Sequence, residues 1–100
     1  MAANPLDDIS IRFEENGIEV VQELDKSLVT AHGGWCTVAF KYREWDPKKE
    51  AYGVEKFGIR RYRKRDGRWQ QQAKMSINSR DHARKLVEIF NGWLDQPEAS

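Results

Sequence analysis

The sequence predicts an α+β domain, in which a curved antiparallel β-sheet of four to five strands is followed by one C-terminal amphipathic helix. Three observations predict this class. Alternating apolar and polar residues fill most of positions 9–77. Asn16-Gly17 and Asp66-Gly67 interrupt that alternation, and both dipeptides tolerate the positive φ of tight hairpin turns. Beyond position 78 the apolar residues recur at helical spacing instead.

Length and composition are those of one small folded domain, 1–100, with a loose N-terminal lead-in at 1–8 and a loose tail at 95–100. The chain has 100 residues, of which 39% are hydrophobic, 33% charged and 11% aromatic. No apolar run is long enough to cross a bilayer, and the first residues do not resemble a signal peptide. The lone Cys36 agrees with a reducing compartment, so we expect a cytoplasmic protein without a membrane partner.

The strands are expected where alternation is bounded by turn residues. His32-Gly33-Gly34 is a turn signal, and Asp46-Pro47 opens a polar hairpin loop at 46–53. These boundaries place strands at 9–14, 18–30, 35–45, 54–65 and 68–77.

The run from Trp35 to Trp45 is the clearest strand, and its two faces differ in chemistry. The set Cys36, Val38, Phe40 and Tyr42 is expected in the core. The other set is basic and aromatic, and it includes Trp35, Lys41, Arg43 and Trp45.

The return strand is expected to place Trp69, Gln71, Ala73, Met75 and Ile77 on one face, and Arg68, Gln70, Gln72 and Lys74 on the other. On the outgoing strand, Phe57 and Ile59 have the opposite parity from Tyr62. This mismatch predicts a bulge or a twist near Arg60.

The C-terminal helix has a start signal and a wide apolar stripe. Asn78 or Ser79 can cap it, Asp81 suits its first turn, and Gly92 weakens the chain near its end. The stripe of Ala83, Leu86, Val87, Phe90 and Leu94 is widened by Ile89 and Trp93. We expect a homodimer packed helix to helix through Leu86, Ile89, Phe90 and Trp93. The alternative is that Trp93 lies over the rim of its own sheet.

Residues that carry enzyme chemistry are nearly absent. His32 and His82 have no partners at metal-ligand spacing, and Cys36 lies on the core side of its strand. We therefore expect no catalytic residue, no metal site and no cofactor.

The strongest functional signal is the stretch 59–75, which we call the basic hairpin and which contains seven Lys and Arg against one acid, Asp66. Cations, aromatic rings and amides on a sheet face suit single-stranded DNA or RNA, because phosphates, base faces and base edges can all be contacted. The predicted contact residues are Lys41, Arg43, Trp45, Arg60, Arg61, Tyr62, Arg63, Lys64, Arg65, Arg68 and Lys74.

Other interpretations of the basic hairpin stay open. Charged residues on strand edges also prevent aggregation, and the acidic first thirty residues could neutralise the cations in the folded state. In that case Trp35, Trp45 and the loop 46–53 would form a small protein-interaction module. A third option is an accessory subunit whose acidic N-terminal segment is displaced by a partner.

Two stretches, YREWDPKKEAYG and SINSRDHARKLVEIFNGWL, together with the order of strands before one helix, resemble the positive cofactor four family of single-stranded-DNA-binding coactivators. Whirly and Pur-alpha proteins share that plan. The resemblance implies dimerisation through the helix, a curved sheet that binds single strands, and a role in transcription or DNA maintenance. By position it points to Lys41, Arg43 and Trp45, and then to Arg61 and Arg63. The additional basic strand before Asp66-Gly67 departs from the family pattern.

Overall fold

The computed structural model describes residues 4–99 and has the α+β class that the sequence predicts. A 3₁₀ turn at Pro5–Asp7 precedes six strands and one helix. They are β1 (Phe13–Glu15), β2 (Ile18–His32), β3 (Trp35–Asp46), β4 (Ala51–Tyr52), β5 (Lys56–Arg65), β6 (Arg68–Ile77) and α1 (Arg80–Leu94). In the described part of the chain, no helix is both long and apolar enough to cross a membrane.

The sheet is antiparallel and follows chain order. Its strands lie in the order β1-β2-β3-β5-β6, and the short β4 pairs with the end of β3. Asn16 and Gly17 have φ of 52° and 80°, and Asp66 and Gly67 have φ of 51° and 75°. Because both residues of each pair lie in the left-handed region, these are the tight hairpin turns that the two dipeptides predict.

The core covers one face of β3. Cys36, Val38, Phe40 and Tyr42 are buried, as the alternation predicts, and we call the surface that bears them the core face. The opposite surface, which bears Trp35, Thr37, Ala39 and Lys41, is called the open face. Each of these four residues is half-buried.

The prediction of a strand at 9–14 is wrong, because pairing begins only at Phe13. Ile9 and Ile11 are buried at 3% and 7% exposure in an extended segment that packs onto the core face. We call residues 4–12 the N-terminal strap. Its apolar residues alternate with polar ones because one side of the strap packs on the core face, although the strap is not a strand of the sheet. The expected loose lead-in is also wrong for its described part, since Asn4 caps the turn at Pro5–Asp7. Residues 1–3 of the lead-in, and Ser100 of the tail, lie outside the described residues.

A bulge in β6 changes which residues share a face. The register passes from Arg61 opposite Ala73 to Tyr62 opposite Gln71, which leaves Gln72 without a partner. The irregularity lies beside Arg61, close to where it was predicted, but the extra residue belongs to β6 rather than to β5.

The bulge overturns the predicted faces of the return strand. Trp69, Gln71 and Lys74 pair with residues of the core face, whereas Ala73, Met75 and Ile77 pair with residues of the open face. One unpaired residue shifts the pairing by one position, so side chains of the same parity lie on opposite faces before and after the bulge. Odd-numbered residues of β6 therefore lie on the core face before Gln72 and on the open face after it.

The helix begins at the predicted cap, but it makes few contacts with the sheet. The Ser79 side chain accepts from the backbone N–H of His82 at 3.0 Å, so Ser79 is the N-cap. None of the α1 residues is buried, and the helix approaches the sheet where Ala83 and Val87 line a shallow cleft with Phe57. The apolar stripe therefore meets the sheet only around Ala83 and Val87.

Most of the apolar stripe of α1 is exposed. The exposed fractions are 56% for Val87, 52% for Phe90, 63% for Trp93 and 79% for Leu94, whereas Leu86 and Ile89 are half-buried. The ring centroid of Trp93 lies 5.9 Å from that of Phe90 on the same helix. An indole exposed to this extent does not lie over the rim of its own sheet.

Candidate nucleic-acid interface

Trp35 and two arginines form the most compact cation and aromatic group on the open face. Pairing of β3 with β5 places Trp35 opposite Arg63 and Thr37 opposite Arg61. The guanidinium carbons of Arg61 and Arg63 lie 4.1 Å and 5.1 Å from the centroid of the Trp35 rings, within cation–π range. We call these three residues the Trp35 cluster.

The Trp35 cluster is available to a ligand. Arg61 and Arg63 are exposed, and Trp35 is half-buried beneath them. Residues two apart on one strand are separated by roughly 6.6 Å, so the two guanidinium groups form a short row above one aromatic surface. Such a row is comparable in spacing with successive phosphates of an extended single strand.

The same face continues towards Lys41 at the far end of β3. Lys41 pairs with Phe57 on one side and with Asp25 on the other. It lies about 20 Å from Trp35 along the strand. Thr37 and Ala39 between them are small, which leaves a shallow path along the sheet.

The cations of the basic hairpin are not neutralised by neighbouring acids. In residues 4–99, Lys and Arg side chains that lie within 4 Å of a carboxylate oxygen are Arg12, Lys26, Lys56, Arg80, Arg84 and Lys85. None of them belongs to the stretch 59–75. The seven cations of that stretch therefore keep their charge available to an external anion.

The acidic N-terminal third does not cover the hairpin. Its acids on β2 include Glu19, which pairs with Arg12, and Glu23, which pairs with Lys26. Because β3 separates β2 from β5, these carboxylates lie two strands away from Arg61 and Arg63. Neutralisation of the basic hairpin by the first thirty residues is thus not what the fold shows.

The structure divides the predicted contact residues between the two faces. Arg60, Tyr62, Lys64 and Lys74 belong to the core face, away from the Trp35 cluster. Tyr62 is only 6% exposed, and burial raises the pKa of its phenol. The expectation that Tyr62 contacts a ligand is wrong, because its ring is part of the core.

Arg43 and Trp45 belong to a third, separate group at the other end of β3. The Arg43 guanidinium lies 4.4 Å from the Tyr52 ring centroid, and its Nε donates to the Gln22 side chain. Trp45 meets Tyr52 edge to face at 5.1 Å. These contacts hold β4 against the end of β3, and Arg43 and Trp45 lie about 26 Å and 33 Å from Trp35 along the strand. They are therefore not brought together with the Trp35 cluster.

Arg65 and Arg68 flank the hairpin turn. They are paired with each other in the register, both are exposed, and β3 ends before reaching them, since its first residue pairs with Arg63. The tip of the basic hairpin therefore projects past the rest of the sheet with a cation on each strand.

The seating of Arg61 and Arg63 on Trp35 was missed by sequence reasoning. Alternation places Trp35 on the outer face of its strand, but the flanking by two arginines depends on which residues of β5 lie opposite. The sequence showed that Arg61 and Arg63 lie on the same face of their strand. It did not show which strand pairs with them.

The side chains that could hold a metal ion or act as a thiol nucleophile are placed as follows. In residues 4–99, no group of three or more His, Cys, Asp and Glu side chains is placed to hold a metal ion. Cys36 is 1% exposed, and burial raises the pKa of its thiol, which disfavours the reactive thiolate.

Comparisons with protein-family models, with curated proteins and with solved structures give no significant match to this chain. The likeness to the positive cofactor four family therefore rests on the order of elements and on the two stretches quoted above. It stays a prediction.

Proposed function

We propose that this protein binds single-stranded DNA or RNA on the open face of its sheet, through the Trp35 cluster. The observation that carries the proposal is a pair of exposed arginines, without carboxylate partners in residues 4–99, over the half-buried Trp35 rings. Lys41 extends the contact along β3, and Arg65 and Arg68 extend it past the hairpin turn.

The chemistry of the cluster suits unpaired bases better than a duplex. Bases stack on aromatic rings and on guanidinium planes, and the arginines over Trp35 offer such planes together with positive charge. Stacking contributes roughly 1–3 kcal/mol per base and has little sequence preference. A duplex hides its base faces, and α1 presents exposed Phe90 and Trp93 rather than a basic face for the major groove.

The proposal is tested by reversing the charges of the cluster. We expect Arg61→Glu with Arg63→Glu to weaken binding of a mixed-sequence oligonucleotide by about 100-fold, because two phosphate contacts become repulsive. Fluorescence anisotropy of a labelled oligonucleotide at several salt concentrations measures the affinity. The wild-type affinity should fall steeply as salt rises, and the variant should show a shallower slope.

A matched control is available in the loop after β3. Lys48→Glu with Lys49→Glu makes the same change in net charge at two exposed lysines without carboxylate partners in the described chain. It should change the affinity about twofold or less. If the wild-type protein at micromolar concentration in low salt does not bind, the proposal fails and a protein-interaction module becomes the better interpretation.

We further propose that two copies associate through α1. The observation is the exposed part of the apolar stripe, chiefly Phe90, Trp93 and Leu94. Phe90 and Trp93 supply most of its aromatic area, and the half-buried Leu86 and Ile89 flank them. A symmetric pair of helices would bury the same stripe on both copies, as two-fold interfaces do. The two sheets would then present two nucleic-acid contacts on one particle.

A further inference from the structure

A second group of cations and an aromatic ring lies on the core face of the basic hairpin. The Lys64 Nζ is 5.5 Å from the centroid of the Trp69 rings, and Trp69 is half-buried against the core. Lys64, Gln71 and Lys74 are exposed on the same face. Neither lysine has a carboxylate within 4 Å in residues 4–99.

The N-terminal strap is fixed elsewhere on that face. Lys26 on β2 donates from its Nζ to the backbone oxygens of Leu6 and Ile9, at 2.7 Å and 2.6 Å. These bonds fix the strap to β2, whereas Lys64 and Trp69 lie on β5 and β6, beyond β3. We call Lys64, Trp69, Gln71 and Lys74 the Trp69 group.

The Trp35 cluster and the Trp69 group are close to each other around the edge of the sheet. Trp35 pairs with Arg63, Arg63 pairs with Gln70, and Gln70 adjoins Trp69. Two strand spacings of about 4.8 Å therefore separate the strands that carry the two indoles. Because β6 is the last strand, a ligand can pass around it from one face to the other.

We propose that a single strand bound at the Trp35 cluster turns around β6 and contacts the Trp69 group on the opposite face. This inference rests on the proposed function and names its ligand as an unpaired polynucleotide long enough to reach both faces. Arg68, at the start of β6, and the amides of Gln70 and Gln72 line the turn.

The path excludes duplex nucleic acid for a mechanical reason. Duplex DNA has a persistence length of about 150 base pairs and cannot reverse around one strand, whereas a single strand bends freely. The two-faced hairpin would thus select single strands by flexibility, in addition to stacking.

The test compares two ligand lengths, an oligothymidylate of about 5 nucleotides and one of about 15, within the range of known single-strand site sizes. Lys64→Glu with Lys74→Glu should weaken the longer ligand about tenfold and leave the shorter one unchanged. Arg61→Glu with Arg63→Glu should weaken both. The assays are run at about 0.15 M salt. The Debye length there is about 8 Å, so a charge change on one face has little electrostatic effect on a ligand bound at the other.

A spectroscopic readout locates the contact directly. Replacing Trp35, Trp45 and Trp93 one at a time and together by Phe leaves Trp69 as the last indole. In the variant with Trp69 as its only indole, the longer ligand should quench the fluorescence and the shorter one should not. Phenylalanine at position 35 keeps an aromatic ring beneath Arg61 and Arg63, so the open-face contact is retained.

The outcomes separate this inference from the proposed function. If wild-type protein binds both lengths but the Lys64 and Lys74 reversals affect them equally or not at all, the wrapped path is wrong and the open-face site stands. If wild-type protein binds neither length, both proposals are overturned. Circular dichroism of each variant checks that the sheet is retained.

Discussion

At the scale of single residues, two charged side chains of β2 anchor the N-terminal strap. Glu23 Oε1 accepts from the Ser10 hydroxyl at 3.0 Å and from the Ile11 backbone N–H at 3.1 Å. Lys26 donates to two strap carbonyls and lies 3.7 Å from Glu23. The strap needs such partners because its backbone has no strand beside it, and backbone polar groups near a core must be satisfied.

Replacement of Lys26 tests this anchoring. Lys26→Met keeps much of the apolar stem of the side chain but removes the ammonium group. The carbonyls of Leu6 and Ile9 then lose their hydrogen-bond donor, and Glu23 loses its ion pair. We expect the free energy of unfolding to fall by about 1–3 kcal/mol, measured by urea denaturation. Lys49→Met, at an exposed loop position, is the control and should change it by about 0.5 kcal/mol or less. Equal stability of the two variants would contradict the anchoring role.

At the scale of elements, α1 is a helix that its own sheet barely supports. It has 15 residues, a length at which isolated helices are marginal in water. The Ser79 cap satisfies one of its first N–H groups, and the ion pair of Arg80 with Glu55 ties its first turn to the segment before β5. Beyond these contacts, its stability depends on what covers the apolar stripe.

Loss of the cap is expected to affect α1 alone. Ser79→Ala should destabilise the helix by about 1 kcal/mol, while Ser76→Ala on the exposed part of β6 should have almost no effect. Far-ultraviolet circular dichroism over a dilution series measures the helix content. The difference between the variants should grow on dilution, because a dissociated helix loses its partner. A difference independent of concentration would argue against the coupling of helix and dimer.

At the scale of the whole molecule, the chain is more extended than a compact domain of its size. The radius of gyration is 16.1 Å, compared with about 13 Å for a compact domain of 100 residues. The excess agrees with a helix that extends beyond the core and with the projecting basic hairpin. Exposure of several large apolar side chains on one helix is unusual for a monomer and common at interfaces.

The dimer is tested at Trp93. Trp93→Glu places a charge in the apolar stripe, so we expect wild-type protein to elute as a dimer and the variant as a monomer in sizing with light scattering. Lys85→Glu is the control, because Lys85 is exposed on the polar side of the helix and also becomes acidic. A wild-type monomer, or a Trp93→Glu dimer, would discard the helix-to-helix interface.

The sequence by itself determined the local features of β3, of one hairpin turn and of the helix start. Alternation on β3 identified the core residues Cys36, Val38, Phe40 and Tyr42, and Asp66-Gly67 located the turn between β5 and β6. Ser79 marked the start of the helix. These features are local, since they depend on strand parity, on positive φ and on one capping hydrogen bond, and each can be recognised in a short window of residues.

Only the tertiary structure decided how the elements combine. Parity assigns side chains to the two sides of one strand, but it does not say which strand lies beside it, so the seating of Arg61 on Trp35 could not be predicted. The unpaired Gln72 moved Trp69 to the face opposite Met75, and the anchoring by Lys26 turned an apparent strand into a strap. Each of these outcomes depends on contacts between distant residues, which local alternation leaves undetermined.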